Sequence, residues 1–112
     1  MRLHTIIEKT GLDNLTTDVD LDCDVKGVYV SDLLSDVIAN VEAGALWVTL
    51  QVHPNIIAVA ALKDLAGVIL VNDRQPETET LKKAEQEGIP ILTTRLSTYQ
   101  IAGRLFNLVG EC

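Results

Sequence analysis

Apolar positions along this chain fall into two alternating rhythms. Short unbroken runs of Val, Ile and Leu suit strands buried on both faces, and stretches with apolar residues three and four apart suit helices. The helical rhythm comes first: Leu3, Ile6 and Ile7 share a face over residues 2–10, and Gly11 is a natural stop. Residues 14–25 are acidic and turn-rich and lead into the strand Gly27-Val28-Tyr29-Val30. Ser31 and Asp32 can cap the helix that follows, whose stripe is Leu33, Leu34, Val37, Ile38 and Val41 and whose end is Gly44.

Leu46-Trp47-Val48-Thr49-Leu50-Gln51 reads as a second strand, and Pro54 stands where a first-turn proline opens a helix over 55–63. That helix is apolar nearly all round, so one face should meet the sheet and the other a neighbouring subunit. The expectation is a homodimer through Ile56, Ile57, Val59 and Ala60, broken by charge at Ile57 or Val59. Gly67-Val68-Ile69-Leu70-Val71 is a continuous buried strand, followed by the turn Asn72-Asp73-Arg74-Gln75. Pro76 opens a solvent-facing helix with Leu81 and Ala84 inward and Gly88 at its close. Ile89-Pro90-Ile91-Leu92 is a short strand whose proline favours a sheet edge or a strand start. Ser97 can cap the last helix, which carries Ile101, Ala102, Leu105, Phe106 and Leu108.

From residue 25 onward the pattern is β-α four times over. It predicts an α/β fold: a mostly parallel sheet of four to five strands, right-handed crossovers and helices on both faces. The 112 residues fit a single domain spanning 1–112. With aromatics at 4%, aliphatic side chains must fill the core.

Charge narrows the partners. A formal net charge of −7 and the lack of a basic stripe argue against nucleic acid and anionic membranes. The N-terminus lacks the apolar region of a signal peptide, and the longest apolar run is short of a membrane span, so the expected location is cytoplasmic. Cys23 and Cys112 form no CxxC and have no histidine at ligand spacing, which points to two ordinary thiols in a reducing compartment.

Three stretches could carry chemistry. Asp18-Val19-Asp20-Leu21-Asp22-Cys23-Asp24 begins like a calcium loop. Cys23 stands where the turn glycine belongs and Tyr29 where the bidentate glutamate belongs, so the stretch reads as an edge segment and no metal is expected. Catalysis lacks its parts: His4 and His53 are the only histidines, no nucleophile motif accompanies them, and no catalytic residue or cofactor is expected. His53 before Pro54 reads first as a helix-start residue.

The third is positional. Ligands of open α/β sheets bind beyond the carboxyl ends of the strands. Here those ends carry Ser31 and Asp32, then Gln51, His53 and Asn55, then Asn72 and Arg74, then Thr93, Thr94 and Arg95. His53, Arg74 and Arg95 could supply charge, and the Thr and Asn side chains could orient an anion such as a phosphate or nucleotide. The same residue types also serve turns and caps, and no Gly-rich phosphate loop is present.

Three blocks resemble small stand-alone DRTGG-domain proteins of anaerobic bacteria: Gly27-Val28-Tyr29-Val30-Ser31-Asp32-Leu33-Leu34-Ser35-Asp36-Val37, Ala60-Ala61-Leu62-Lys63-Asp64-Leu65-Ala66-Gly67-Val68-Ile69-Leu70-Val71, and Glu85-Gln86-Glu87-Gly88-Ile89-Pro90-Ile91-Leu92-Thr93-Thr94 with Ser97-Thr98-Tyr99. The pattern is also similar to the N-terminal domain of HPr kinase/phosphorylase and to DRTGG inserts in some phosphotransacetylases and family II pyrophosphatases. The resemblance implies a parallel α/β core and a regulatory or dimer-forming role without catalysis, in a setting of iron-hydrogenase or signalling components. The chain departs from the naming pattern: Gln51-Val52-His53 replaces Gly-Asp-Arg, and Val71-Asn72-Asp73 replaces Thr-Gly-Gly. Side chains thus occupy positions where a backbone could approach a ligand closely, and no binding residue carries over.

Two functions compete. One is a homodimeric regulatory module binding a small anionic ligand at the strand-end turns. The other is an interaction module that docks onto a hydrogenase or signalling protein without a ligand. A small phosphotransferase stands behind both, for want of a phosphate loop.

Overall fold

The apolar runs become strands and the amphipathic stretches become the helices that cover them. The computed structural model describes residues 1–110, so Cys112 lies outside the described residues. The elements in order are α1 (Leu3–Thr10), β1 (Asp13–Asn14), β2 (Gly27–Val30), α2 (Leu34–Asn40), β3 (Ala45–Thr49), α3 (Asn55–Leu62), β4 (Gly67–Leu70), α4 (Thr78–Glu87), β5 (Ile91–Thr93) and α5 (Thr98–Val109). The sheet runs β1-β5-β4-β3-β2, with β2 to β5 parallel and β1 antiparallel to β5. The fold is the expected α/β one, with a five-stranded, mostly parallel sheet.

Strands consecutive in the chain are neighbours in the sheet, so right-handed crossovers put α2, α3 and α4 on one face. Their buried residues Val37, Ile56, Ile57 and Ala84 meet Trp47, Val68, Leu70 and Ile91. On the opposite face, Leu3, Ile6, Ile101 and Leu105 of α1 and α5 meet Leu46, Val48, Ile69 and Leu92. Successive strand residues alternate between the two cores, as the pleat requires.

The interface expected at Ile56, Ile57, Val59 and Ala60 is corrected by this layering. Ile56, Ile57 and Ala60 are 0% exposed and Val59 is 5% exposed within one chain. The sheet lies beneath α3 while α2 and α4 flank it, so a single subunit covers three sides of the helix. Only Asn55, Ala58, Ala61 and Leu62 face outward. Charge at Ile57 or Val59 therefore attacks the core and not a subunit contact.

Smaller differences have local causes. Asp32 does not cap α2; its carboxylate turns to the neighbouring strand end, and Leu33 holds the N-cap position with no side-chain cap bond. Pro90 precedes β5 and accepts from the Val68 N–H at 2.9 Å, so the missing proline donor costs no ladder bond. Ser97 caps α5 as expected, in a reciprocal box with Gln100. The acidic stretch is no regular strand, although its exposure alternates as an edge segment's would. Carbonyls of Leu21 and Cys23 accept from His4 and Leu3, ending the free donors of α1.

Glu85 of α4 fastens the loop after β1: the Thr17 N–H and hydroxyl both donate to its Oε2 at 2.7 Å. These bonds hold its carboxyl below the ordinary glutamate value. Asp36 is likewise lowered by hydrogen bonds from Ser31, Tyr29 and Asn40. A depressed folded-state pKa stabilises the fold above the unfolded value, and that stability is lost as pH falls through the folded one. The urea midpoint should therefore hold from pH 7 to about 5 and decline below about pH 4. Glu85→Gln should start lower at pH 7 and lose less on acidification.

Candidate functional site

The parallel strands end along one edge, where four turns precede α2, α3, α4 and α5. Helices leaving β2, β3 and β4 go to one face, and α5, leaving β5, goes to the other. Adjacent strands β4 and β5 thus send their helices in opposite directions. That is the topological switch where open α/β sheets form a crevice. The flanking turns are 71–77 and 94–97.

Hydrogen bonds lace the four turns into one shelf. Asp32 Oδ1 accepts from the Leu50 N–H at 2.7 Å and from the Thr49 hydroxyl at 2.9 Å, and Gln51 Nε2 donates to the Asp32 carbonyl. The Ser31 hydroxyl accepts from Leu33 N–H, and its carbonyl accepts from the buried Trp47 indole at 2.8 Å. The Val52 carbonyl takes both the Glu77 N–H and the Thr80 hydroxyl. At the switch, Asn72 N–H donates to the Leu96 carbonyl at 3.0 Å and Asp73 N–H to the Thr94 carbonyl at 2.7 Å. The Thr93 hydroxyl reaches the Arg74 carbonyl at 3.1 Å, and the Thr94 hydroxyl accepts from Leu96 N–H.

Asn72 and Asp73 have φ of 55° and 56°. Asn and Asp tolerate the left-handed region better than other non-glycine residues. The turn thus keeps a backbone suited to glycine while presenting two polar side chains.

The nine nominated residues share this edge but not one condition. Ser31, Asp32, Gln51, Thr93 and Thr94 are engaged in lacing. His53 Nδ1 accepts from Asn55 N–H at 3.0 Å, which fixes the ring at the start of α3 and points to Nε2 as the proton-bearing nitrogen. Among the described residues, the side chains of Asn55, Asn72, Arg74 and Arg95 make no hydrogen bond and no ion pair. None of the nine Lys and Arg side chains has a carboxylate within ion-pair distance among the described residues, so Arg74 and Arg95 are set apart by their place on two adjacent turns and not by being unpaired. They can take up a multiply charged anion.

A cavity of about 400 Å³ lies at the opposite end of the sheet. Asp20, Asp24 and Asp64 line it against one cation, Lys26, which is the wrong balance for an anion. No group of three metal-ligating side chains occurs among the described residues. Cys23 faces this cavity; burial pushes its thiol above the ordinary value and Sγ donates to the Ala66 carbonyl at 3.8 Å, so it is a packing residue.

One residue escaped notice as a site candidate. Tyr99, in the first turn of α5, is 89% exposed. Its sequence signal is a large aromatic out of phase with the stripe of Ile101, Leu105 and Leu108.

The DRTGG domain family matches residues 15–108. No curated protein matches the chain. Among solved structures, the chain is similar to the CBS and DRTGG domains of the regulatory region of Clostridium perfringens pyrophosphatase, crystallised with its activator diadenosine tetraphosphate. The TM-score is 0.71 at 13% identity, over 97% of this chain and 48% of that one, a likeness of fold spanning about half the larger region.

Proposed function

Because the chain belongs to the DRTGG-domain family, we propose that it is a non-catalytic regulatory module that binds a small phosphate-bearing ligand at the carboxyl ends of β4 and β5. The observation that carries this reading is the placement of two exposed arginines, Arg74 and Arg95, on two turns bonded to each other at the topological switch. His53, Asn55 and Asn72 supply further polar groups along the same shelf. The similar pyrophosphatase region, described as regulatory and bound to a dinucleotide polyphosphate, supports the ligand class. Calorimetric titration with tripolyphosphate and with ATP tests it. Saturable heat with a raised melting temperature is expected; flat titrations and an unmoved melting temperature for both would overturn it.

The module acts as a homodimer in the cytoplasm in this reading, with the subunit contact at the open edge of the sheet. β2 has a partner on one side only, and Val30, Leu33 and Ile38 beside it are 44%, 64% and 41% exposed. Light scattering on Leu33→Asp should find a monomer with stability within about 0.5 kcal/mol of the parent. A dimer that survives the substitution would remove this edge from the interface. The same exposed residues favour the second reading, docking onto a hydrogenase or signalling partner without a ligand. A parent protein that is already monomeric would move weight to it.

A further inference from the structure

We propose that the ligand is a nucleotide, its phosphates held by Arg74 and Arg95 and its base stacked on Tyr99. The inference rests on the phosphate-binding reading above and adds the part of the ligand that phosphate chemistry alone leaves open.

Tyr99 contributes little to the fold. Ile101 and Leu105 bury the inner face of α5, whereas Tyr99 is 89% exposed and its hydroxyl has no partner among the described residues. The chain's other tyrosine differs: Tyr29 is half-buried, and its hydroxyl donates to Asp36 at about 3 Å. A ring so exposed is available to a flat apolar partner, and stacking of a base on an aromatic side chain does not depend on which base is present.

Its position links it to the arginines. The Leu96 carbonyl is bonded to Asn72 N–H, and Tyr99 follows three residues later, at most roughly 11 Å along the chain. Arg95 lies between the two residues, Thr94 and Leu96, whose carbonyls anchor the turn to Asp73 and Asn72. Arg74 is tied through its own carbonyl to Thr93, only two residues, roughly 7 Å of extended chain, from Arg95. The bonds that join the two turns also fix where α5 begins. Two exposed cations and one exposed aromatic ring thus stand on two turns that hydrogen bonds join, within roughly 11 Å of chain of those bonds.

The test compares ATP with tripolyphosphate on the full chain by calorimetry. ATP should bind about tenfold or more tighter than tripolyphosphate. Tyr99→Ala should bring ATP down to the tripolyphosphate level while leaving tripolyphosphate itself unchanged, and Tyr99→Phe should restore the difference. Circular dichroism on Tyr99→Ala checks that the fold is intact, as its exposure leads one to expect. Equal affinities for the two ligands, with Tyr99→Ala moving neither, would overturn the stacking and leave phosphate binding standing. Failure of both ligands to bind would overturn the phosphate reading and this inference with it.

Discussion

Ile57→Asp should give no folded protein, and Ile57→Ala should lower the unfolding free energy by about 3 kcal/mol. Ile57 is 0% exposed in a single chain, in a core with Trp47, Val68 and Leu70. Removal of three buried carbons leaves a cavity that a helix held between α2 and α4 cannot collapse around. A carboxylate at the same point would be desolvated with no partner, which no domain of about 5–15 kcal/mol total stability tolerates easily. Urea denaturation measures the alanine variant, and soluble yield with circular dichroism measures the aspartate one. A folded Ile57→Asp monomer with a parental midpoint would mean that α3 faces a partner after all.

The contrast between Ile57 and Leu33 shows what the sequence could and could not convey. Apolar runs located all four parallel strands to within one or two residues, because β3, β4 and β5 are buried along their whole length and polar residues enter them only at their ends, as Thr49 and Thr93. The two residues of β1, Asp13 and Asn14, carry no such signal: a polar pair becomes a strand only because β5 offers it an edge. The all-round apolarity of α3 implied the sheet on one face and a subunit on the other; the sheet, α2 and α4 cover three sides, and Ala58, Ala61 and Leu62 on the fourth are exposed. What covers it is a question of strand order, which periodicity does not encode. With β2 to β5 in sequential order, two helices of the same chain flank α3. A doubly wound order would have left it fewer neighbours.

The candidate site was legible in the same uneven way. Strand-end residues are named by their position, so all nine were found on one edge. Which of them remain free depends on bonds between turns far apart in sequence, such as Asp32 to Leu50 or Thr93 to Arg74. Residue type gives no warning there, since an aspartate bridging two turns and an aspartate facing solvent look alike. The reverse holds at Asn72 and Asp73, whose φ of 55° and 56° is the left-handed region that glycine enters most readily. Asn and Asp are the non-glycine types that tolerate this backbone, so the turn bends as a glycine turn would while presenting two polar side chains.

The double variant Arg74→Ala, Arg95→Ala should weaken tripolyphosphate binding by about 100-fold or more, with each charge-assisted contact contributing about 1.5–3 kcal/mol. Both side chains are exposed and without partners among the described residues, so their removal should leave the melting temperature of the free protein within a degree or two of the parent. The single variants should each lose part of the affinity. A loss confined to one of them would mean that the other arginine points away from the ligand. Salt offers an independent reading: raising it should weaken the parent markedly and the double variant little, since screening acts on the charges that were removed. Asp73, on the same turn as Arg74, sets the opposite sign. Asp73→Asn should tighten binding about twofold, the scale expected of one solvent-exposed charge several ångströms from an anion. If the arginine variants bind as the parent does while Asp73→Asn has no effect, the anion is held elsewhere and the shelf at the switch is structural only.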